Sequence, residues 1–294
     1  MLRAFDSPRT LGKTGLEVSS IALGSSYGVG GRDIERAFDH GVNTFLYGSL
    51  RRPGFAKGVR ALSHQRDKMV IAIQTYSRVG FLMKPFVWSA LRSLGTDYVD
   101  VLGLAWWNDV PSRRIWDAAL ALKERGLVRH VMVSCHHRPS FESFMREEAC
   151  EAWMVRYNAG HPGAEREVFP LLGEDVASRP GVFAFTATRW GSLLGGAPGE
   201  KTPRASDCYR FALSNEHVDA VITGPKNAAE LDEAMLAMRL GPMSDEELAW
   251  MKRVGAHARS IGANRGVGLL DRLSGWLRPA PRLPRDGPPK QLAS

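Results

Sequence analysis

Cysteine is scarce: Cys135, Cys150 and Cys208 are the only three in 294 residues. An odd, scattered set forms no disulfide framework and no paired metal-ligand spacing, and it suits a reducing, cytoplasmic setting. Long apolar runs are missing too. No stretch reaches the roughly 18 residues that a membrane-spanning helix needs, and residues 1–20 show no apolar core of a secretory signal. No GxGxxG follows the first apolar run, which counts against an open dinucleotide-binding sheet. No basic stripe with interleaved aromatics is present, so the net charge of +8 does not point to nucleic acid. Part of that charge sits in residues 277–294, LRPAPRLPRDGPPKQLAS, where Arg278, Arg282, Arg285 and Lys290 stand against one acid, Asp286. That proline-rich tail is expected to be disordered, leaving residues 1–276 as the folded domain.

What the chain does have is alternation. Apolar runs at 20–24, 43–47, 69–75, 99–104, 130–134, 152–157, 182–186 and 220–223 read as strands. Helical patterns at 33–39, 53–62, 84–93, 112–125, 140–148, 165–172, 205–214 and 228–239 separate them. Eight strand–helix repeats over about 220 residues predict a closed (β/α)8 barrel, the TIM-barrel class of α/β fold. Two short extended pieces at 8–11 and 17–19 flank Gly12-Lys13-Thr14-Gly15, a hairpin expected to plug the barrel's bottom. Ser244-Asp245-Glu246-Glu247 opens a further helix after the eighth repeat.

The segments RTLGKTGLEVSSIALG, GVNTF, RSLGTDYVDVL, ALKERGLVRHVMVS, the Tyr157-Asn158 pair and ITGPKNAAELDEA together resemble the aldo-keto reductases, from Arg9 to about Gly255. That resemblance implies NADP(H)-linked carbonyl reduction. It implies a tyrosine as general acid, with a lysine held by an aspartate lowering its pKa and a histidine orienting the substrate oxygen. At the matching positions this chain carries Leu46 for the aspartate, Arg51 for the tyrosine, Gln74 for the lysine and Ala105 for the histidine. Gln74 has no charge to depress a neighbour's pKa. Arg51 stays protonated and is no general acid, although it can stabilise an oxyanion. Loss of a general acid costs about 10²–10⁴-fold, so the family's usual route is not expected.

The cofactor half of the resemblance is better kept. It implies nicotinamide stacking on Phe185, carboxamide contacts from Ser134, 2′-phosphate contacts from Lys226 and Asn227, and an adenine contact from Glu233. Ser25, after the first barrel strand, completes the cofactor-binding set. Cys135 and Met154 stand where the family has further carboxamide ligands. The start of the eighth helix favours an anion.

Other groups are placed at the mouth. Tyr76, two residues past Gln74, is the better-aimed phenol and a candidate acid. Tyr47 neighbours Leu46, so one of the two faces the helices unless a bulge intervenes. Tyr47, Trp106, Trp107 and His136 are taken as pocket residues, the tryptophans as walls over a site its polar groups have left. Arg52, Arg78 and Asp109 read as solvated loop residues. Cys135 reads as a small packing residue, with a thiolate nucleophile as the alternative. His136, His137 and His161 do not suggest a metal site, because adjacent imidazoles on an extended loop point apart.

Three functions stay open. The first is an NADP(H)-linked oxidoreductase with a reorganised acid. The second is a non-catalytic barrel binding a ligand or protein partner. The third is a lyase or isomerase acting on an anionic substrate through Arg51. A small-molecule ligand, anionic given the arginines, is expected, with no nucleic-acid or membrane partner.

Overall fold

The computed structural model describes residues 4–26, 28–48 and 53–264. Arg51, Arg52 and the 277–294 tail therefore lie outside the described residues. Eight parallel strands close into a barrel: β3 (Ile21–Gly24), β4 (Thr44–Tyr47), β5 (Val70–Thr75), β6 (Val99–Leu104), β7 (Val128–Cys135), β8 (Ala152–Arg156), β9 (Gly181–Phe185) and β10 (Ala220–Thr223), with β10 pairing back onto β3. Each strand lies within a few residues of the apolar run that predicts it. Helices α1 (Gly31–Asp39), α2 (Pro53–Ala61), α3 (Met83–Leu94), α4 (Arg113–Glu124), α5 (Ser140–Phe144), α6 (Ala164–Glu167), α7 (Ala205–Leu213) and α8 (Ala228–Leu240) follow the strands in turn, and α9 (Asp245–Asn264) comes last.

Two of the expected helices are shorter than their patterns. The 140–148 pattern gives only α5, and the 165–172 pattern splits into α6 and a 3-10 turn at Phe169–Leu171. Pro170 lies in that turn, and a proline inside a helix lacks the N–H that would continue it.

Strand pleating sorts the apolar residues into two cores. Ala22, Leu46, Ala72, Val101, Met132, Ala152, Met154, Phe183, Phe185 and Ala220 fill the barrel interior. Their neighbours in sequence, such as Phe45, Ile71, Leu102, Val133, Val155 and Ala184, face the helices. A hairpin of β1 (Arg9–Thr10) and β2 (Glu17–Val18) precedes the barrel. Its Leu11, Leu16 and Val18 join the interior core, which is how it closes the bottom. The approach is close enough to demand glycine: a Cβ on Gly12 would lie 2.3 Å from the Gly181 nitrogen.

The base also holds the most enclosed ion pair. Arg179 Nη1 and Nη2 donate to Asp219 at 3.0 and 2.6 Å, both side chains at 2% exposure or less. Asp219 accepts the Val182 amide as well, and the Arg179 carbonyl accepts the Lys13 amide of the hairpin. Among the described residues no helix is long and apolar enough to cross a membrane.

Candidate active site

The carboxyl ends of the strands form the barrel's mouth, where loops carry the chemistry of this architecture. Backbone strain collects there. Trp106, Thr186, Arg189 and Trp190 are the non-glycine residues with positive φ among the described residues, and all four lie in the loops after β6 and β9. Bulky side chains in that region cost on the order of 1–3 kcal/mol each and persist where surroundings over-determine them.

At Trp106 the surroundings are visible. Arg78, from the loop after β5, donates to the Ala105 carbonyl at 3.0 Å and the Trp106 carbonyl at 2.6 Å. Its guanidinium lies 4.1 Å from the Trp107 ring centre. The Trp107 main-chain N–H donates to the Ser134 carbonyl. Arg78 is thus not a merely solvated loop residue: it clamps the turn that carries both tryptophans. Asp109 is exposed.

Rings line the mouth in sequence. Tyr76 packs edge-on against Trp106 at 5.9 Å, Trp106 against His136 at 6.1 Å, and His136 against Phe185 at 5.3 Å. The structure therefore brings Tyr76, Trp106, His136 and Phe185 together. It does not bring Tyr47: that ring is buried in the helix-facing core and stacks on Phe55 of α2. Leu46 takes the inward position, so no bulge reverses the pleat, and Tyr47 is corrected from a pocket residue to a packing one.

Beneath the rings, Gln74 is 7% exposed and donates through Nε2 to Met154 Sδ at 3.3 Å, joining β5 to β8 across the interior. Ala105 is fully buried. Gly103 leaves room for this layer, since a Cβ there would sit 3.0 Å from Met132 Cε and 3.3 Å from Gln74 Cγ.

The expected cofactor residues divide. Phe185 closes the upper interior, and Ser134, 2% exposed, lies on β7 at the same level. Lys226 is exposed beside the start of α8. Asn227 is the N-cap of that helix, its Oδ1 accepting the Glu230 amide at 3.0 Å. The first loop packs tightly here: a Cβ on Gly28 would lie 2.4 Å from the Lys226 carbonyl oxygen. Ser25 and Glu233 have structural work. The Ser25 hydroxyl accepts the Gly48 amide at 3.0 Å, tying the ends of β3 and β4. Glu233 is held by Arg204 and by the Ser206 amide and hydroxyl, which together keep its carboxyl below the usual range despite partial burial.

The titratable groups are informative. Burial, helped by the nearby Arg156 charge, lowers His136 to about 4, so its ring is neutral near pH 7. Burial pushes the Cys135 thiol up to about 11, and it donates to the His137 carbonyl at 3.1 Å. That favours packing over a nucleophilic role. Burial of the Tyr76 ring raises its phenol above the ordinary value although the residue is 55% exposed. His137 is exposed and pairs with Ser140. No three potential metal ligands converge among the described residues.

One group goes unnoticed in a reading of the sequence. Arg156 ends β8 in register with Phe185. It shares the inward parity of Ala152 and Met154, and Arg138, Arg189 and His161 surround it electrostatically. Period-two counting along β8 is the signal that finds it.

Solved structures share the fold of this barrel. An aldo-keto reductase from Bacillus halodurans (holo form) matches with a TM-score of 0.72 at 20% identity, over 84% of this chain and 96% of that one. The fold is that of the aldo-keto reductases. A Klebsiella pneumoniae aldo-keto reductase in complex with NADPH matches at 0.70 and 21% identity, over 85% of this chain and 95% of that one. A Klebsiella pneumoniae aldo/keto reductase in complex with NADP and acetate matches at 0.69 and 20%, over 85% and 96%. No family model matches the sequence. On this barrel, Phe185, His136 and Tyr76 lie at the mouth, while Leu46, Gln74 and Ala105 are buried.

Proposed function

We propose that this protein is an aldo-keto-reductase-like oxidoreductase linked to NADP(H), with a reorganised active site. One observation carries the reading: the Phe185 ring is held at the top of the barrel with the neutral His136 ring edge-on at 5.3 Å. The likeness to barrels solved with NADPH and NADP supports the choice of cofactor.

The residues present fit such a group. Phe185 offers an apolar face for nicotinamide, and Ser134 a polar group at the same level on β7. Lys226 and the start of α8 offer positive charge and dipole to a phosphate. Glu233 is already committed to Arg204 and Ser206, so it has no part in this reading. NADPH, when bound, supplies hydride to a carbonyl carbon. The chain's task is to polarise the carbonyl and deliver a proton. His136 N–H, neutral near pH 7, can donate to the carbonyl oxygen without surrendering its proton. Tyr76 keeps its phenolic proton at neutral pH and is the group with one to give to the forming alkoxide. Arg51 remains a candidate cation for that oxyanion.

A second reading, a ligand-binding barrel without hydride transfer, is favoured by the Gln74–Met154 bond and the buried Ala105, which close the layer where the family's acid would be supported. Titration with NADPH, followed by cofactor fluorescence and thermal shift with NADH as control, tests the first reading. Saturable binding, then turnover in a carbonyl screen that falls about 10²-fold or more in Tyr76→Phe, supports it. Absence of binding at millimolar NADPH overturns it in favour of the second.

A further inference from the structure

Carboxylates at the barrel's base are matched by cations. Asp100 pairs with Arg66 and Arg129, Glu151 with Lys123 and His130, and Asp219 with Arg179. The mouth is different on its β7–β8–β9 side. Arg138 follows β7, Arg156 ends β8, Arg189 follows β9, and Arg259 lies on α9.

Two glycines let these side chains close in. A Cβ on Gly163 would lie 2.7 Å from Arg138 Cζ, and one on Gly160 would lie 2.7 Å from Arg189 Cδ. His161 sits in that same loop, between the two. Burial lowers it to about 3, and its charged neighbours Arg156, Arg189, Arg138 and Arg259, all cations, act in the same direction. Arg138 has a carboxylate partner, Glu167 at 3.0 Å; Arg189 donates to the Ala258 carbonyl. Arg156 Nη1, His161 Nδ1 and both ring nitrogens of His136 are buried without a hydrogen-bond partner among the described residues.

Gathering like charges and unpaired polar atoms in one buried place opposes folding. An anion reverses that cost. A carboxylate is satisfied by one guanidinium fork, whereas a tetrahedral oxyanion accepts from several directions at once. Donors converging here from three strand ends suit the second shape.

We infer that Arg156 and His161 form the floor of a binding site for a phosphate group, with Arg138 and Arg189 as its walls. The site stands whether or not the barrel transfers hydride. Its phosphate is that of a small-molecule ligand distinct from the 2′-phosphate of NADPH, which the oxidoreductase reading gives to Lys226 and Asn227, and the NADPH arm of the test separates the two.

The test is calorimetric titration of the full chain with inorganic phosphate, against chloride at matched ionic strength, alone and in saturating NADPH. Saturable binding that persists with NADPH present, and that weakens at least tenfold in Arg156→Met, is expected. Arg156→Met is also expected to melt at or above the wild-type temperature in phosphate-free buffer, because it relieves crowding, and to lose the phosphate-dependent rise in melting temperature. A purely structural arginine would give the opposite shift. No saturable binding, an unchanged Kd in Arg156→Met, or a lower melting temperature of that variant without phosphate overturns the inference. Competition between phosphate and NADPH also overturns it, by giving the site to the cofactor. These outcomes leave the oxidoreductase proposal untouched, since that one rests on NADPH binding and turnover.

Discussion

Replacing Asp219 by asparagine should be among the most damaging single changes in this protein. Asp219 is fully buried and receives two guanidinium contacts from Arg179, at 3.0 and 2.6 Å, plus the Val182 amide at 2.8 Å. Asparagine removes the charge and turns one acceptor into a donor aimed at donors. Arg179, 2% exposed, is then a buried cation without a counter-charge. Breaking such a pair typically costs about 3–5 kcal/mol. At roughly 2–4 °C per kcal/mol for a domain of a couple of hundred residues, the melting temperature should fall by on the order of 10 °C. Replacing both partners, Arg179→Met with Asp219→Leu, removes the orphaned charge and leaves chiefly the Val182 amide to suffer, at about 1–3 kcal/mol. The double variant should therefore be more stable than Asp219→Asn alone. Urea unfolding followed by tryptophan fluorescence reads both. A loss below about 1 kcal/mol in the single variant, or a double variant as unstable as the summed singles, would refute the reasoning.

Three further expectations concern protonation, thiol reactivity and helix capping. His136 and His161 have folded pKa values of about 4 and 3, below the ordinary 6.5. The unfolded chain therefore binds more protons in that window, so stability is full above about pH 6.5 and falls as pH drops toward 4. Urea midpoints should show this slope, and His136→Gln with His161→Gln should flatten it. Cys135, raised to about 11, and the buried Cys150 and Cys208 should resist iodoacetamide at pH 7.5 in the native state and react after unfolding; mass spectrometry counts the adducts. Asn227→Ala removes the α8 cap and should cost about 1 kcal/mol in urea unfolding. The same variant should weaken NADPH if the cofactor's phosphate sits there.

The barrel was legible because its strands are buried on both faces. Runs such as Val99–Leu104 give continuous apolar stretches, and the helices between them bury one stripe each. Leu46 and Tyr47 were ambiguous only in which faced inward, and pleating decides that once the register is set. The mouth was harder. Arg78 looks like any polar loop residue because its partners are main-chain carbonyls of residues 105 and 106, and the left-handed turn presenting them has no signature in Trp106. Glu233 and Ser25 were assigned to a cofactor by position in a motif, while their actual hydrogen bonds run to Arg204, Ser206 and Gly48, contacts that only the fold creates. Arg156 was accessible by counting along its strand, but it lies between Met154 and the Tyr157-Asn158 pair, the residues that the motif singles out.

The Gln74–Met154 contact across the interior has a consequence for how this site could change. Lysine at position 74 would place an ammonium against a thioether, with Leu46 where a carboxylate would have to stand. An unpaired buried charge of that kind costs several kcal/mol. Aspartate at 46 introduced alone would bury a carboxylate in the apolar interior core that holds Leu46. Histidine at 105 would need space in a fully packed position. Each step toward the family's charged apparatus is thus uphill until the others are made. The neutral interior is self-reinforcing, and converting it to a charged one calls for several coordinated substitutions rather than a series of single ones.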